Sequence, residues 1–443
     1  MINLDRSHPP TRRARLFASV GAVAAAVAVT TLFTAAGPAS ADTVTATVPV
    51  GSEPIAVAIT PDGAHAYVVN QMSDSVSVIE TATNTVVGDP ITVGENPSGV
   101  AITPDGSRVY VTNWGGGTVS VIETATGTVV GAPVRVGVNP VGVAIAPDGS
   151  RVYVANRGSD SVSVIETATD TVVGAPVRVG VNPVGVAIAR DGSRVYVTNV
   201  GSDSVSVIDT VTTTVAGTAA VGSVPIGVAI APDGSRVYVT NWGSGSVSVI
   251  ETATNTVVGA PVTVGAAPIG VAITPDGARA YVTNHGSDSV SVIDTATNTV
   301  VGAPVTVGSQ PEELVITPDG AHAYITNWGS DTVSVIAIGT NAPTLTGTPA
   351  AGAVGQSYTY AFTVTGKPAP TVTAAGVLPD GLTLSTGGVL SGTPTTAGRF
   401  ELTLTASNGI GNDAVLPVIL EVAPPATGSL GSLGSLGSLT WTS

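Results

Sequence analysis

The chain has 443 residues, 15 basic and 30 acidic side chains, a net charge of −15 and no cysteine. That length is too great for one small core and suits a large domain with a further one. Lack of cysteine excludes disulfide support, thiol catalysis and Cys-ligated zinc, and the acidity opposes nucleic acid or an anionic bilayer as a partner.

Residues 1–41 read as an export signal. Arg6, Arg12, Arg13 and Arg15 precede an apolar run from Leu16 to Ala36, and Ala39-Ser40-Ala41 offers small residues for cleavage. Removing this segment leaves 11 basic and 29 acidic residues, a charge of −18, which solubility alone explains. No second membrane segment follows in the sequence, so the processed protein is expected to lack an integral span.

From Asp42 onward the chain repeats. The Asp of a recurring turn falls at Asp62, Asp105, Asp148, Asp191, Asp233, Asp276 and Asp319, with spacings of 43, 43, 43, 42, 43 and 43 residues. In the sixth unit, Val271-Ala272-Ile273 leads through Pro275-Asp276-Gly277 into Ala280-Tyr281-Val282-Thr283. Proline presets φ and glycine accepts positive φ, so this is a hairpin, giving strands a and b. Ser289 to Ile293 alternates small polar with β-branched residues as strand c, and Thr299 to Val307 is strand d. Four short strands at this period predict an all-β fold with a seven-bladed β-propeller over residues 42–339.

The seventh unit stops at Ile336-Ala337-Ile338 and lacks strand d. Thr43 to Gly51 lies in register with Val86 to Gly94, a strand d elsewhere, so the N-terminal strand is expected to complete blade seven and close the ring. Burial of Val44, Val48 and Val50 would then contribute about 5 to 9 kcal/mol.

Tyr-Val-Thr-Asn occurs at 110–113, 196–199, 238–241 and 281–284, with Tyr-Val-Val-Asn at 67, Tyr-Val-Ala-Asn at 153 and Tyr-Ile-Thr-Asn at 324. The chain thus resembles the YVTN family of β-propeller repeats, known from surface-layer and other exported proteins, over Asp42 to about Gly339. The resemblance implies the fold and leaves the function open, since relatives include lactonase-like propellers. Residues shared by all blades read as structure: Tyr as packing between blades, Asn as a turn residue tolerating left-handed geometry.

Positions that vary within a fixed repeat are candidates for specificity. After the shared Asn stand Gln71, Trp114, Arg157, Val200, Trp242, His285 and Trp328, in the b to c turn. The connections from strand d to the next strand a share that face and also vary, with Glu53 and Glu95 among them. In blade seven, Glu312-Glu313 replaces the apolar-Gly pair of Val141-Gly142, Val184-Gly185, Ile226-Gly227 and Ile269-Gly270. Exposed tryptophans beside acids suit stacking on sugars, aromatic groups or peptide anchors. The ligand-binding set is therefore Glu53, Glu95, Trp114, Trp242, His285, Glu312, Glu313 and Trp328. Paired acids on a rim are more often solvated than ligating, so no metal or other cofactor is assigned, nor any catalytic residue. Asp74, Asp160, Asp203, Asp288 and Asp331 in the Ser-Asp-Ser or related turns read as turn caps. The opposite rim carries His65, Arg108, Arg151, Arg194, Arg236, Arg279 and His322 at one repeat position, which reads as surface charge.

Residues 340–423 read as an Ig-like β-sandwich. Tyr358 to Val364 and Phe400 to Ala406 alternate, and Leu378 to Leu384 followed by Gly388 to Pro394 resembles the immunoglobulin-like, cadherin-like domains appended to bacterial surface proteins. Residues 424–443 end in Gly-Ser-Leu triplets and read as a flexible tail. Together these features point to an exported or cell-surface, non-enzymatic protein presenting a propeller face to a protein, peptide or glycan at the cell envelope. The alternative is a lactonase-like hydrolase or lyase working at the channel mouth.

Overall fold

The computed structural model describes residues 42–339, 341–367, 370–407 and 412–425; the expected export signal and residues 426–443 of the tail lie outside them. Each a to b hairpin is set by its turn. In the first, Thr60 Oγ1 and Ala64 N donate to Asp62 Oδ1 at 2.6 and 2.9 Å, Gly63 takes φ +75°, and its N–H donates to Thr60 O at 2.8 Å.

These hairpins grow into seven sheets, numbered blades 1 to 7 from their innermost strands: Pro54–Ile59, Pro97–Ile102, Pro140–Ile145, Pro183–Ile188, Pro225–Ile230, Pro268–Ile273 and Pro311–Ile316. Each innermost strand touches the next, and the last touches the first, so the ring is closed. The core lies between blades. Tyr67 of blade 1, for example, packs with Val109, Val111 and Ile122 of blade 2.

Strand d departs from the continuous run read in the sequence. In four blades it divides, as at Thr85–Val86 and Ile91–Thr92. The break falls at Gly88, with φ +71°, and Pro90, which offers no N–H to the ladder; in blade 2 the same pair, Gly131 and Pro133, lies within Thr128–Arg135 at a register shift.

The N-terminal strand Thr43–Pro49 runs antiparallel beside Thr332–Ala337, with Thr43 opposite Ala337 and Pro49 opposite Thr332. Blade 7 is thereby completed by the front of the propeller. Only Val48, at 3% exposure, is fully buried there; Val44 is 37% exposed. The register shifts between Val44 and Ala46, and this bulge turns Val44 outward, so burial contributes less than the alternation implied. A polar clasp adds to it. Asp42 accepts from Gly339 N and from Tyr281 Oη at 2.8 Å, and stands 3.6 Å from Arg279.

The shared Asn is not a left-handed turn residue, as the sequence suggested. It ends strand b in extended geometry, with φ −100° at Asn156 and −112° at Asn284. It is fully buried and ties three strands together: Asn284 Nδ2 donates to Ser289 Oγ at 3.2 Å and Ser291 Oγ at 3.0 Å, while Gly265 N donates to its Oδ1 at 3.0 Å. A Cβ at Gly265 would fall 2.5 Å from the Asn284 side chain, which is why glycine ends the preceding strand d. The left-handed position belongs instead to the turn Asp, with φ 48° at Asp160 and Asp288.

In the C-terminal part, Ala414–Ala423, Gly398–Ser407 and Thr371–Ala375 form one sheet with Gly352–Ala353, and Tyr358–Ala361, Val389–Gly392 and Leu382–Leu384 form a second. Asn341–Thr346 pairs with Thr363–Lys367. The alternating run from Tyr358 is split at Phe362, whose buried ring joins Leu345, Val372, Leu390, Leu404 and Leu420 in the core.

Candidate functional site

Close approach of the innermost strands explains why most carry glycine. A Cβ at Gly142 would lie 2.2 Å from Val184 O, and one at Gly227 would lie 2.2 Å from Ile269 O. Thr198, Thr240 and Thr283 Oγ1 donate across the same junctions, to Ile226 O at 2.7 Å, Ile269 O at 2.6 Å and Glu312 O at 2.5 Å. Glu313 breaks this rule. Beside it the equivalent bond, Thr326 Oγ1 to Ile55 O, stretches to 3.4 Å.

The innermost strands enclose a cavity of about 280 Å³, with walls of Val, Ile and Gly from Val141, Gly142, Val184, Gly185, Ile226 and Gly227. Glu312 and Glu313 stand on one side, and Arg157, from the b to c turn of blade 3, also lines the space. Local departures from a repeat that loosen its packing are expected at functional positions.

His285, from the b to c turn of blade 6, brings Nδ1 to 3.0 Å from Glu312 Oε1. Its Nε2 is 3.4 Å from Gln310 Nε2. The Glu312 carboxylate raises the imidazole pKa, by hydrogen bonding first and by charge second, against partial burial. Glu313 faces the cavity while protein surrounds it. Enclosure, reinforced by the Glu312 charge and opposed by a backbone bond from Val57, pushes its carboxyl from 4.5 up to about 8.

The sign of the pH dependence follows. An acid whose folded pKa is raised binds more protons folded than unfolded, so stability falls as pH rises between the two values. The protein is expected to lose stability from about pH 4.5 to about 8, and Glu313→Gln should remove most of that slope. Because Glu313 touches solvent in the cavity, the loss is expected to be about 1 kcal/mol, well below the full value of such a shift. Urea melts at pH 5 and 8 on both proteins measure it; parallel slopes would show that Glu313 is not the group responsible.

The remaining sequence candidates lie on the same rim as the cavity mouth. Trp114 N donates to Asn96 O at 3.0 Å, Gly115 N to Glu95 O at 3.1 Å, Gln71 N to Glu53 O at 2.9 Å, Trp242 N to Val224 O at 2.9 Å and Trp328 N to Gln310 O at 3.0 Å. None of Glu53, Glu95, Trp114, Trp242 and Trp328 lines the cavity, so the structure brings together Glu312, Glu313 and His285 from the set. Arg157 is one of the variable turn residues, and nothing in the sequence sets it apart from the others as a cavity residue. Trp114 and Trp242 are exposed, at 39% and 44%. The turn aspartates cap backbone: Asp160 accepts from Asn182 N and Asp288 from Gln310 N, each at 2.8 Å. Among the described residues, no group of three or more His, Asp or Glu converges as a metal site would require.

The arginines of the opposite rim do more than carry surface charge. Arg108 Nη1 donates to Thr167 O at 3.1 Å and to Asp170 Oδ2 at 3.1 Å; Arg194 reaches Thr252 O at 2.7 Å and Arg236 reaches Thr295 O at 2.8 Å. Each acceptor lies in the c to d turn of the next blade, so the arginines fasten neighbouring blades together.

These features define a repeat β-propeller with an acid-lined cavity, followed by an Ig-like domain. The YNCE-like beta-propeller family model matches residues 18–257, over half the chain, and the chain belongs to that family. A model for the lactonase, 7-bladed beta-propeller family matches residues 256–362, and an Ig domain model, He_PIG, matches residues 340–423. Among solved structures, the chain is similar to hydrazine synthase of Kuenenia stuttgartiensis, at 27% identity and a TM-score of 0.60, covering 65% of this chain and 96% of that one. No curated protein matches. Among the described residues no helix is long and apolar enough to cross a membrane.

Proposed function

We propose that the protein is an exported or cell-surface binding protein, without catalytic activity, that receives a protein, peptide or glycan ligand at the cavity mouth on the b to c turn face. The observation that carries this reading is the replacement of an apolar-Gly pair by Glu312-Glu313 within a ring otherwise lined by Gly, Ala, Val, Ile and Ser. The rim tryptophans offer stacking surface, and the arginine-rich, then apolar, start of the chain and the appended Ig-like domain favour display outside the cell. Membership of the YNCE-like family supports the scaffold without choosing its ligand.

A hydrolase is the second reading, favoured by the His285–Glu312 contact at 3.0 Å and by the lactonase-type match over residues that include both. A base in contact with a carboxylate can take a proton from water or substrate. Screening glycans, peptides and lactones against residues 42–443 separates the readings. Saturable binding without turnover, lost in Glu312→Ala/Glu313→Ala and weakened in Trp328→Ala, is the expected result. Turnover that disappears with the glutamate pair would replace binding by catalysis.

A further inference from the structure

The blade junctions on the arginine rim can be compared with one another. Between blades 2 and 3, the Arg108 guanidinium bridges Thr167 O and Asp170, and Tyr110 Oη donates to Asp170 Oδ1 at 2.7 Å. Between blades 5 and 6, Arg236 reaches Thr295 O at 2.8 Å and Tyr238 Oη donates to Asn298 Oδ1 at 2.9 Å. A guanidinium and a phenol thus share one groove at each of these junctions.

The junction of blades 1 and 2 departs from this pattern at three positions. His65 stands where five blades have Arg, Gly127 stands where Asp170 and Asn298 accept from tyrosine, and Asp89 stands where Ala132, Ala175, Ala260 and Ala303 occur. All three border one hollow of about 810 Å³. The hollow at the blade 5 and 6 junction, with Arg236 in place, is about 440 Å³. Tyr67 is 4% exposed and lines the larger hollow, and its hydroxyl has no hydrogen-bond partner among the described residues. Asp62, Asp89 and Asp105 also line the hollow. Asp105 is held ionised, its pKa pulled to about 2 by bonds from Thr103 and then Ser107.

We propose that this hollow binds the guanidinium group of an arginine side chain presented by a peptide or partner protein, seated where other junctions hold their own arginine. The Thr124 carbonyl corresponds to Thr167 and Thr295, Asp89 supplies a carboxylate, and the Tyr67 oxygen supplies a further acceptor. A planar fork suits a carbonyl and a carboxylate side by side better than the compact ammonium of lysine does.

The test uses acetyl-Gly-Arg-Gly-amide and its lysine counterpart, titrated calorimetrically into residues 42–443. The wild-type protein is expected to bind the arginine peptide saturably and about tenfold more tightly than the lysine peptide. His65→Arg restores the repeat, fills the hollow from within, and is expected to weaken binding by about tenfold or more while leaving the melting temperature unchanged or raised. Asp89→Ala, also a repeat residue, should weaken binding without altering the fold. Glu312→Ala/Glu313→Ala should leave binding intact, which separates this site from the cavity mouth. Absence of saturable binding, equal affinity for lysine, or undiminished binding by His65→Arg or Asp89→Ala would overturn the proposal.

Discussion

A chain beginning at residue 51 should show no cooperative unfolding transition for the propeller, whereas one beginning at residue 42 should melt as a unit. The deleted segment supplies the outer strand of blade 7 and the Asp42 clasp. Val48 contributes about 1.5 to 3 kcal/mol by burial, and each lost strand hydrogen bond about 1 kcal/mol. A total on the order of 5 kcal/mol or more is comparable with the whole net stability of a typical domain. Deletion also exposes the edge of Thr332–Ala337, so aggregation should accompany the loss. Differential scanning calorimetry and light scattering on the two chains decide it. A shortened chain that melts like the longer one would mean that the ring does not depend on its front strand.

Gly142→Ala should be among the most damaging single methyl additions in the ring, on a par with Gly227→Ala. The new Cβ would meet Val184 O at 2.2 Å and Val186 N at 3.3 Å, both backbone atoms of the neighbouring blade. Neither can swing aside as a side chain could, so the blades must separate, at a cost of about 3 kcal/mol. Gly270→Ala should cost less, because the facing Glu312 O would be 2.8 Å from the new Cβ rather than 2.2 Å. Glu313→Gly should be neutral or stabilising, since it restores the repeat and removes an enclosed carboxyl. Thermal melts rank the three variants. Equal losses for Gly142→Ala and Gly270→Ala would show that inter-blade crowding is not what holds glycine in these strands.

The blade architecture was legible because its signals recur: Pro-Asp-Gly turns, alternating strand c and a fixed period. The displaced outer strand was legible because Thr43 to Gly51 aligns with Val86 to Gly94. Side-chain roles were harder to read. Asn at the end of strand b carries the same letter as an Asn in a left-handed turn, and only the strand register places it in the interior beside Ser289 and Ser291. The arginine rim read as surface charge because its partners, such as Thr167 for Arg108, lie in the following blade. Glu312 and Glu313 were found by comparing repeats at one position. The departure at His65 shows at its repeat position, but its meeting with Asp89 and Gly127 does not, because the three sit at different repeat positions and come together only across a junction between blades.

The clasp joining Asp42 to Gly339 also fixes an order of events. Those residues are 297 positions apart, so this contact has among the longest chain separations in the propeller. Loop closure over such a span carries a large entropic cost before any contact rewards it. Six blades can assemble from local hairpins as they emerge during synthesis, while the front strand must wait unpaired until the seventh blade has been made. Kinetically, the ring is completed from its two ends last, and those ends are where a partly folded chain is most open to proteases and to pairing with another copy of itself.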